Sequence, residues 1–225
     1  MNKIPIDDFI APPCYEEIKI LHKDEYLLVI NKPSGLLSLS GKNPANKDSV
    51  HARLVLDYPT ATMVHRLDFG TSGVMVVALN KAVNGHLTKQ FQARTVKKEY
   101  RATLLGHLVE DEGVIDAPIA RSEFPYQKVC YQTGKPAQSH YQVLERQSDA
   151  NGVKTTQVLF TPLTGRTHQL RVHSREIGHP IIGCDLYGLV VGGVDSQDQA
   201  TRLMLHASSL SFEHPVTKQT LDIVC

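Results

Sequence analysis

The chain has 225 residues, 41% hydrophobic and 21% charged, with 24 basic and 23 acidic side chains and a formal net charge of +1. That length suits one large domain, or one domain with a short extension, and buries a full core. No run approaches the length of a membrane span, and the start, Met1 to Asp8, has no apolar signal core. Cys14, Cys130, Cys184 and Cys225 are scattered and never at CxxC spacing, which argues against a zinc site and fits a reducing cytoplasm.

Residues 1–19, with Pro5, Pro12 and Pro13, read as an N-terminal arm, and residues 20–225 as one domain. Glu25 to Ile30 is a short apolar strand closed by the turn Asn31-Lys32-Pro33-Ser34-Gly35. Leu39 to Asp48 is rich in Ser, Gly, Asn and Pro and reads as a loop. Ser49 caps a predicted helix over Val50 to Tyr58, stopped by Pro59. His65-Arg66-Leu67-Asp68 follows, then Gly70 and Thr71-Ser72-Gly73 as a turn, then the apolar run Val74 to Leu79. Asp68 therefore stands on a loop at the edge of the core. Two readings fit it: a reacting carboxylate on a rigid scaffold, or a turn cap.

Asn80 caps a predicted helix through Ala93 with Val83, Leu87 and Phe91 on its buried stripe and Lys81 and Lys89 elsewhere. Tyr100, Ala102 and Leu104 alternate as a half-exposed strand, with Tyr100 at its start beside Lys97 and Lys98. Gly113 to Ala137 reads as connection with a hairpin. His140 to Leu144 and Val158 to Pro162 read as strands joined across Asn151-Gly152, a hairpin turn signal. His168 to Ile177 is a predicted helix ended by Gly178; Leu170, His173 and Ile177 face inward, and His168, Arg171 and Arg175 face outward as cations. Gly188 to Thr201 reads as a surface loop, followed by closing strands over Arg202 to Phe212 and Thr220 to Val224 around His214-Pro215. Strands and helices without regular alternation predict an α+β fold with a mainly antiparallel sheet.

The near-neutral total hides local bias. Lys81, Lys89, Arg94, Lys97, Lys98 and Arg101 face only Glu99 between 81 and 101, and Arg166, Arg171 and Arg175 face no acid between 161 and 175. Such segments present a positive face to phosphates or form solvated surfaces. Eleven histidines invite a metal, but no HExxH occurs; GxGxxG, GxxxxGK[ST] and GxSxG are also absent. A carboxylate, a tyrosine and arginines remain. An arginine near an Asp keeps it ionised, and an ionised Asp serves as nucleophile or stabilises an anomeric carbon.

Taken together, His65-Arg66-Leu67-Asp68 with Thr71-Ser72-Gly73, Lys98-Glu99-Tyr100, and Gly165-Arg166-Thr167-His168-Gln169-Leu170-Arg171-Val172-His173 resemble the three signature segments of the RluA-family pseudouridine synthases. Asn31-Lys32-Pro33-Ser34-Gly35 and Leu205-His206-Ala207 fit in order, and the middle region around Gln127-Lys128-Val129-Cys130-Tyr131 is similar to that of the short, single-domain member. The resemblance covers about residues 20 to 224 and implies no S4 domain. It implies an isomerase that turns uridine in RNA into pseudouridine, acting on a 23S rRNA hairpin and on tRNA anticodon stem-loops in the cytoplasm, as a monomer without metal, cofactor or membrane. Asp68 matches the essential aspartate, Arg171 its arginine partner, Tyr100 the active-site tyrosine, and Arg66 the arginine that replaces the flipped nucleotide. His65, Lys89, Lys97, Lys98, Arg166 and His168 are the further expected RNA contacts. The rival expectations are an inactive RNA-binding protein of the same fold and a metal-dependent hydrolase.

Overall fold

The apolar run behind Asp68 is the centre of the first half of the chain. In a computed structural model, which describes residues 9–225, the chain divides into two units: the part up to Val96 with Leu210–Cys225, and Lys97–Ser209. Residues 1–8 of the expected arm lie outside the described residues, and residues 9–18 form no helix or strand.

The first unit runs β1 (Lys19–Lys23), β2 (Leu27–Lys32), α1 (Val50–Asp57), β3 (Thr62–Met63), β4 (Ser72–Ala78) and α2 (Lys81–Ala93). Every residue of β4 is buried, which is why the segment reads as continuous hydrophobics rather than as an alternation. It pairs antiparallel with β2, Leu27 opposite Ala78 and Lys32 opposite Gly73, and with the short β3. Both expected caps form. Ser49 accepts a hydrogen bond from the Ala52 N–H at 3.1 Å, and Asn80 from the Val83 N–H at 2.9 Å. The stripe of α2 packs Val83, Leu87 and Phe91 against Leu27, Val29, Val74 and Val76.

The second unit runs β5 (Lys97–Leu105), β6 (Glu112–Asp116), β7 (Ile119–Arg121), β8 (Gln127–Val129), β9 (Gln138–Ser148), β10 (Lys154–Pro162), α3 (Gln169–Glu176), β11 (Val190–Val191), β12 (Val194–Asp195) and β13 (Leu205–Glu213), the last of which ends in the first unit beside β14 (Thr220–Val224). Strands β5, β10, β9 and β6 lie in that order, each pair antiparallel. The β9–β10 turn is the expected one: Gly152 takes φ +79°, and the Asp149 carboxylate accepts from the Asn151 and Val153 N–H groups. Leu104, Val158, Phe160, Ile181 and Leu203 form the core. The architecture is the expected α+β.

Three local expectations change. The strand carrying Tyr100 begins earlier, at Lys97, so both lysines are part of the pairing segment. The stretch from Gly188 to Thr201 is not a plain loop: Gly192 and Gly193, both at positive φ, turn Val190-Val191 back onto Val194-Asp195. Helix α3 does not offer Arg171 to solvent. Leu170 to Ser174 are all buried, and only Arg175 and Glu176 at its end are exposed.

An exposed helix start is a clean place to test the cap reading. Asn80→Ala is expected to lower the unfolding free energy by about 1 kcal/mol, without changing the fold, when measured by urea denaturation.

Candidate active site

The Asp68 loop is fixed by the turn that follows β2, all within the first unit. Leu67 is buried, and its peptide is clamped from both sides by one hydroxyl: Ser38 Oγ accepts from the Leu67 N–H at 3.1 Å and donates to the Leu67 C=O at 2.7 Å. The Gly35 N–H donates to the Phe69 C=O at 3.0 Å, and Ser34 Oγ donates to the Gly70 C=O at 2.7 Å. Gly35 sits at φ +73°, a conformation its missing Cβ permits. Beneath the loop lies Lys32, with no exposed surface. Its ammonium donates to the carbonyls of Pro33 at 2.9 Å, Leu36 at 2.7 Å and Phe69 at 3.1 Å. Three donors thus meet three acceptors, two on one loop and one on the other. Burial pushes the Lys32 pKa down to about 8, opposed by the charges of Cys14 and Asp68.

Along His65-Arg66-Leu67-Asp68 the anchoring alternates. The His65 ring stacks on Phe91 at 4.6 Å and its Nε2 accepts from the Val76 N–H at 3.1 Å. Arg66 is exposed, Leu67 is buried, and Asp68 is half-buried. The carboxylate and the guanidinium are therefore offered from a segment whose other two residues are pinned. Lys89 lies exposed on α2.

The other expected site residues lie in the second unit. Helix α3 starts at His168, which takes a left-handed φ of +56° unusual for a residue with a side chain. Its Nδ1 lies 2.7 Å from the Tyr187 hydroxyl, which also accepts from the Gln127 N–H at 2.9 Å. Next, Gln169 uses its whole amide. Its Oε1 accepts from Thr164 Oγ1 at 2.7 Å and the Arg166 N–H at 2.9 Å; its Nε2 donates to the Gln138 C=O at 3.0 Å and Ser139 Oγ at 2.9 Å. Ser139 passes the chain on to His173 Nδ1 at 3.0 Å, and His173 Nε2–H donates to the Ala117 C=O at 2.9 Å. With Ser139 as the donor to Nδ1, His173 is neutral, protonated on Nε2, and burial depresses its pKa further.

That network holds Arg171. The guanidinium is buried at 4% exposure. Its Nη2 pairs with the Asp185 carboxylate at 2.5 Å, its Nε reaches Cys184 Sγ at 3.3 Å, and its Cζ lies 5.2 Å from the Tyr187 ring centroid. Tyr100 sits opposite Phe160 on the β5–β10 ladder, its ring against the core. Lys98, two residues before it, brings its ammonium beside Gly165, at the start of the loop leading to His168. Arg166 is held by the Pro136 C=O at 3.0 Å, and Lys97 is exposed at the start of β5.

The second unit thus gathers Lys98, Arg166, His168 and Arg171 around one loop and helix start, and the first gathers His65, Arg66 and Asp68 over Lys32. Sequence reasoning missed Lys32, Gln169, Asp185 and Tyr187. Lys32 had a signal, a lysine two residues after the apolar run Leu27 to Ile30 with no acid adjacent.

Residues 26–176 match the RNA pseudouridylate synthase family. The chain is similar to the dual-specificity RNA pseudouridine synthase RluA of Yersinia pestis, at 50% identity over 92% of this chain and 97% of that protein. It is 47% identical to the same-named protein of Escherichia coli K12, over 91% of this chain and 90% of that one. Among solved structures it resembles human RNA pseudouridylate synthase domain containing 1, with TM-score 0.78 and 32% identity, covering 95% of this chain and 85% of that one. Human RNA pseudouridylate synthase domain containing 4 gives TM-score 0.70 and 28% identity, covering 92% of this chain and 87% of that one.

Two titrations test the geometry. Lys32→Met strands three carbonyls and is expected to cost about 3 kcal/mol of stability. Because the folded pKa of Lys32 is about 8 against the ordinary 10.5, the unfolded chain holds the proton to higher pH. Wild-type stability therefore gains over Lys32→Met as pH rises from 8 towards 10.5, read from urea melts of both proteins. His173 has the acid-side counterpart. Its folded pKa lies below the ordinary 6.5, so its contribution is complete above pH 6.5 and is lost as pH falls below that value. His173→Gln is expected to flatten the fall in unfolding free energy from pH 6.5 downward.

Proposed function

Because the chain belongs to the RNA pseudouridylate synthase family, we propose that it isomerises uridines of both rRNA and tRNA, the two substrates the family resemblance implies, using Asp68 as the reacting carboxylate; its relatives are named as dual-specificity RNA pseudouridine synthases. The observation that carries the assignment of Asp68 is its loop. A half-buried carboxylate, behind an exposed arginine, is held through its neighbours' backbone by Ser34, Gly35, Ser38 and the buried Lys32. A turn cap needs no such support, whereas a reacting group gains from being held before substrate arrives.

The reaction is an internal exchange. The N1–C1′ bond of the uridine breaks, the uracil turns while bound, C5 joins C1′, and the C5 proton leaves while N1 takes one up. Nothing is gained or lost overall, so the reading includes neither cofactor nor metal. In the proposal Asp68 attacks C1′ or C6, or assists a glycal route. Arg171 is the proposed partner of Asp68; its burial and its bond to the largely exposed Asp185 support a guanidinium with a fixed direction. Tyr100 packs against the base and helps remove the C5 proton. The target must leave its stack to be reached, and Arg66 fills the space it vacates. His65 sets the direction of Arg66, while Lys89, Lys97, Lys98, Arg166 and His168 meet the RNA backbone.

The proposed substrates are a hairpin of 23S rRNA and tRNA anticodon stem-loops, bound by a monomer in the cytoplasm; among the described residues no helix is long and apolar enough to cross a membrane. RNA labelled with tritium at uridine C5 is expected to release label with the native protein and not with Asp68→Asn. Arg171→Ala is expected to bind RNA with near-native affinity while losing turnover. Binding without release by the native protein would instead establish an inactive RNA-binding protein.

A further inference from the structure

The second unit contains a cavity for which the reaction above has no use. It has a volume of about 430 Å³, within the range of roughly 300–1,000 Å³ typical of ligand sites, and opens between α3 and the segment Gln127–Gln132 that includes β8. Val172, Arg175 and Glu176 of α3 line it together with Tyr187. The Tyr187 ring also lies against Arg171, so the cavity and the proposed catalytic arginine share a side chain.

Its surroundings are unusual for a solvated hairpin. Tyr131, which lines the cavity just after β8, is 72% exposed, and Phe124 and Tyr126 on the β7–β8 connection are 73% and 43% exposed. Among the residues lining the cavity the cations Lys128 and Arg175, both exposed, outnumber the single acid Glu176. Exposed aromatics among cations are what unpaired nucleotides bind: every base has a face to stack, and its phosphate needs a positive partner. A protein surface would meet the same aromatics, but it has no need for the cation surplus.

We infer that this cavity takes one unstacked nucleotide of the RNA substrate, other than the isomerised uridine, with its base on Tyr131 and its phosphate between Lys128 and Arg175. The inference rests on the reading of the protein as an RNA pseudouridine synthase and adds a second nucleotide site to it. Gln127 and Gln132 also line the cavity; in this reading their amides meet the base edge, and the site selects among stem-loops by which nucleotide it finds unpaired beside the target.

The test uses the full-length protein and stem-loop RNA carrying tritium at uridine C5. Tyr131→Ala is expected to raise KM about tenfold, the weight of one base–aromatic stack, with kcat unchanged. Tyr131→Phe is expected to restore native KM, because stacking needs the ring and not the hydroxyl. Lys128→Ala is expected to lower the salt slope of binding by about one. Alkylation of Cys130, which lines the cavity, is expected to slow when RNA is bound. An unchanged KM for Tyr131→Ala overturns the inference, as does a Tyr131→Ala effect confined to self-association in sedimentation. Failure of the native protein to release label refutes the enzymatic reading instead. The nucleotide site is then decided by the dissociation constant of the RNA for native protein against Tyr131→Ala.

Discussion

A buried ammonium fixes the loop that carries Asp68. An unpaired lysine in a protein interior costs several kcal/mol, and burial drives it towards the neutral form. Lys32 remains compatible with the fold because its three donors find the carbonyls of Pro33, Leu36 and Phe69. The cost explains the precision. A cation with no water to fall back on forces those carbonyls to converge, and two chain segments that contribute them are held in one arrangement. A hydrophobic side chain at the same place would leave those carbonyls without their donor and specify nothing about the peptide orientation at Phe69, one residue after Asp68.

Helix α3 achieves the same end with neutral groups. From the Gln138 N–H through Thr164, Gln169, Ser139 and His173 to the Ala117 carbonyl, each donor has one acceptor and the direction of the chain is determined. A partly satisfied network of this kind would be worse than an apolar core. Among the described residues no buried side-chain nitrogen or oxygen lacks a partner. The helix therefore buries polar side chains on faces that an ordinary amphipathic helix would give to water, and Arg171 is presented from a body that cannot rotate without breaking several hydrogen bonds.

Much of the fold was legible because its signals are local. Ser49, Asn80 and Asn151-Gly152 each act on backbone within three residues, and each does what its chemistry predicts. The buried strand β4 announced itself by an unbroken apolar run. The misreadings share one cause, which is distance along the chain. On helical spacing Arg171 falls with His168 and Arg175 on a polar face; what covers it, Cys184, Asp185 and Tyr187, comes more than a turn of structure later and no periodicity reveals it. Lys32 reads as the polar end of a strand until Phe69, 37 residues away, supplies its third carbonyl. The small β11–β12 hairpin is different, since Gly192-Gly193 between Val-Val and Val-Asp was a usable turn signal passed over in favour of the polar residues that follow. For the site, the motif segments singled out Asp68, Tyr100 and Arg171, but several groups that orient them, Lys32, Ser38, Cys184 and Asp185, lie outside those three segments.

The near-zero net charge sets a further constraint on how this fold can recognise RNA. A uniformly basic protein attracts any polyanion, and its affinity is mostly counterion release with little regard for sequence or shape. Here 24 cations are nearly matched by 23 acids, so long-range attraction is weak and binding has to come from local patches. A patch such as Lys128 with Arg175, or Lys98 with Arg166, is too small to hold an RNA by charge alone. Stacking and shape must supply the remainder, and both require the RNA to expose unpaired bases in a particular arrangement. A hairpin loop does so and a regular duplex does not. Under the proposed function, discrimination between stem-loops and bulk RNA would rest on what the surface lacks as much as on what it carries, and the exposed rings of Phe124, Tyr126 and Tyr131 are the groups proposed to make that distinction.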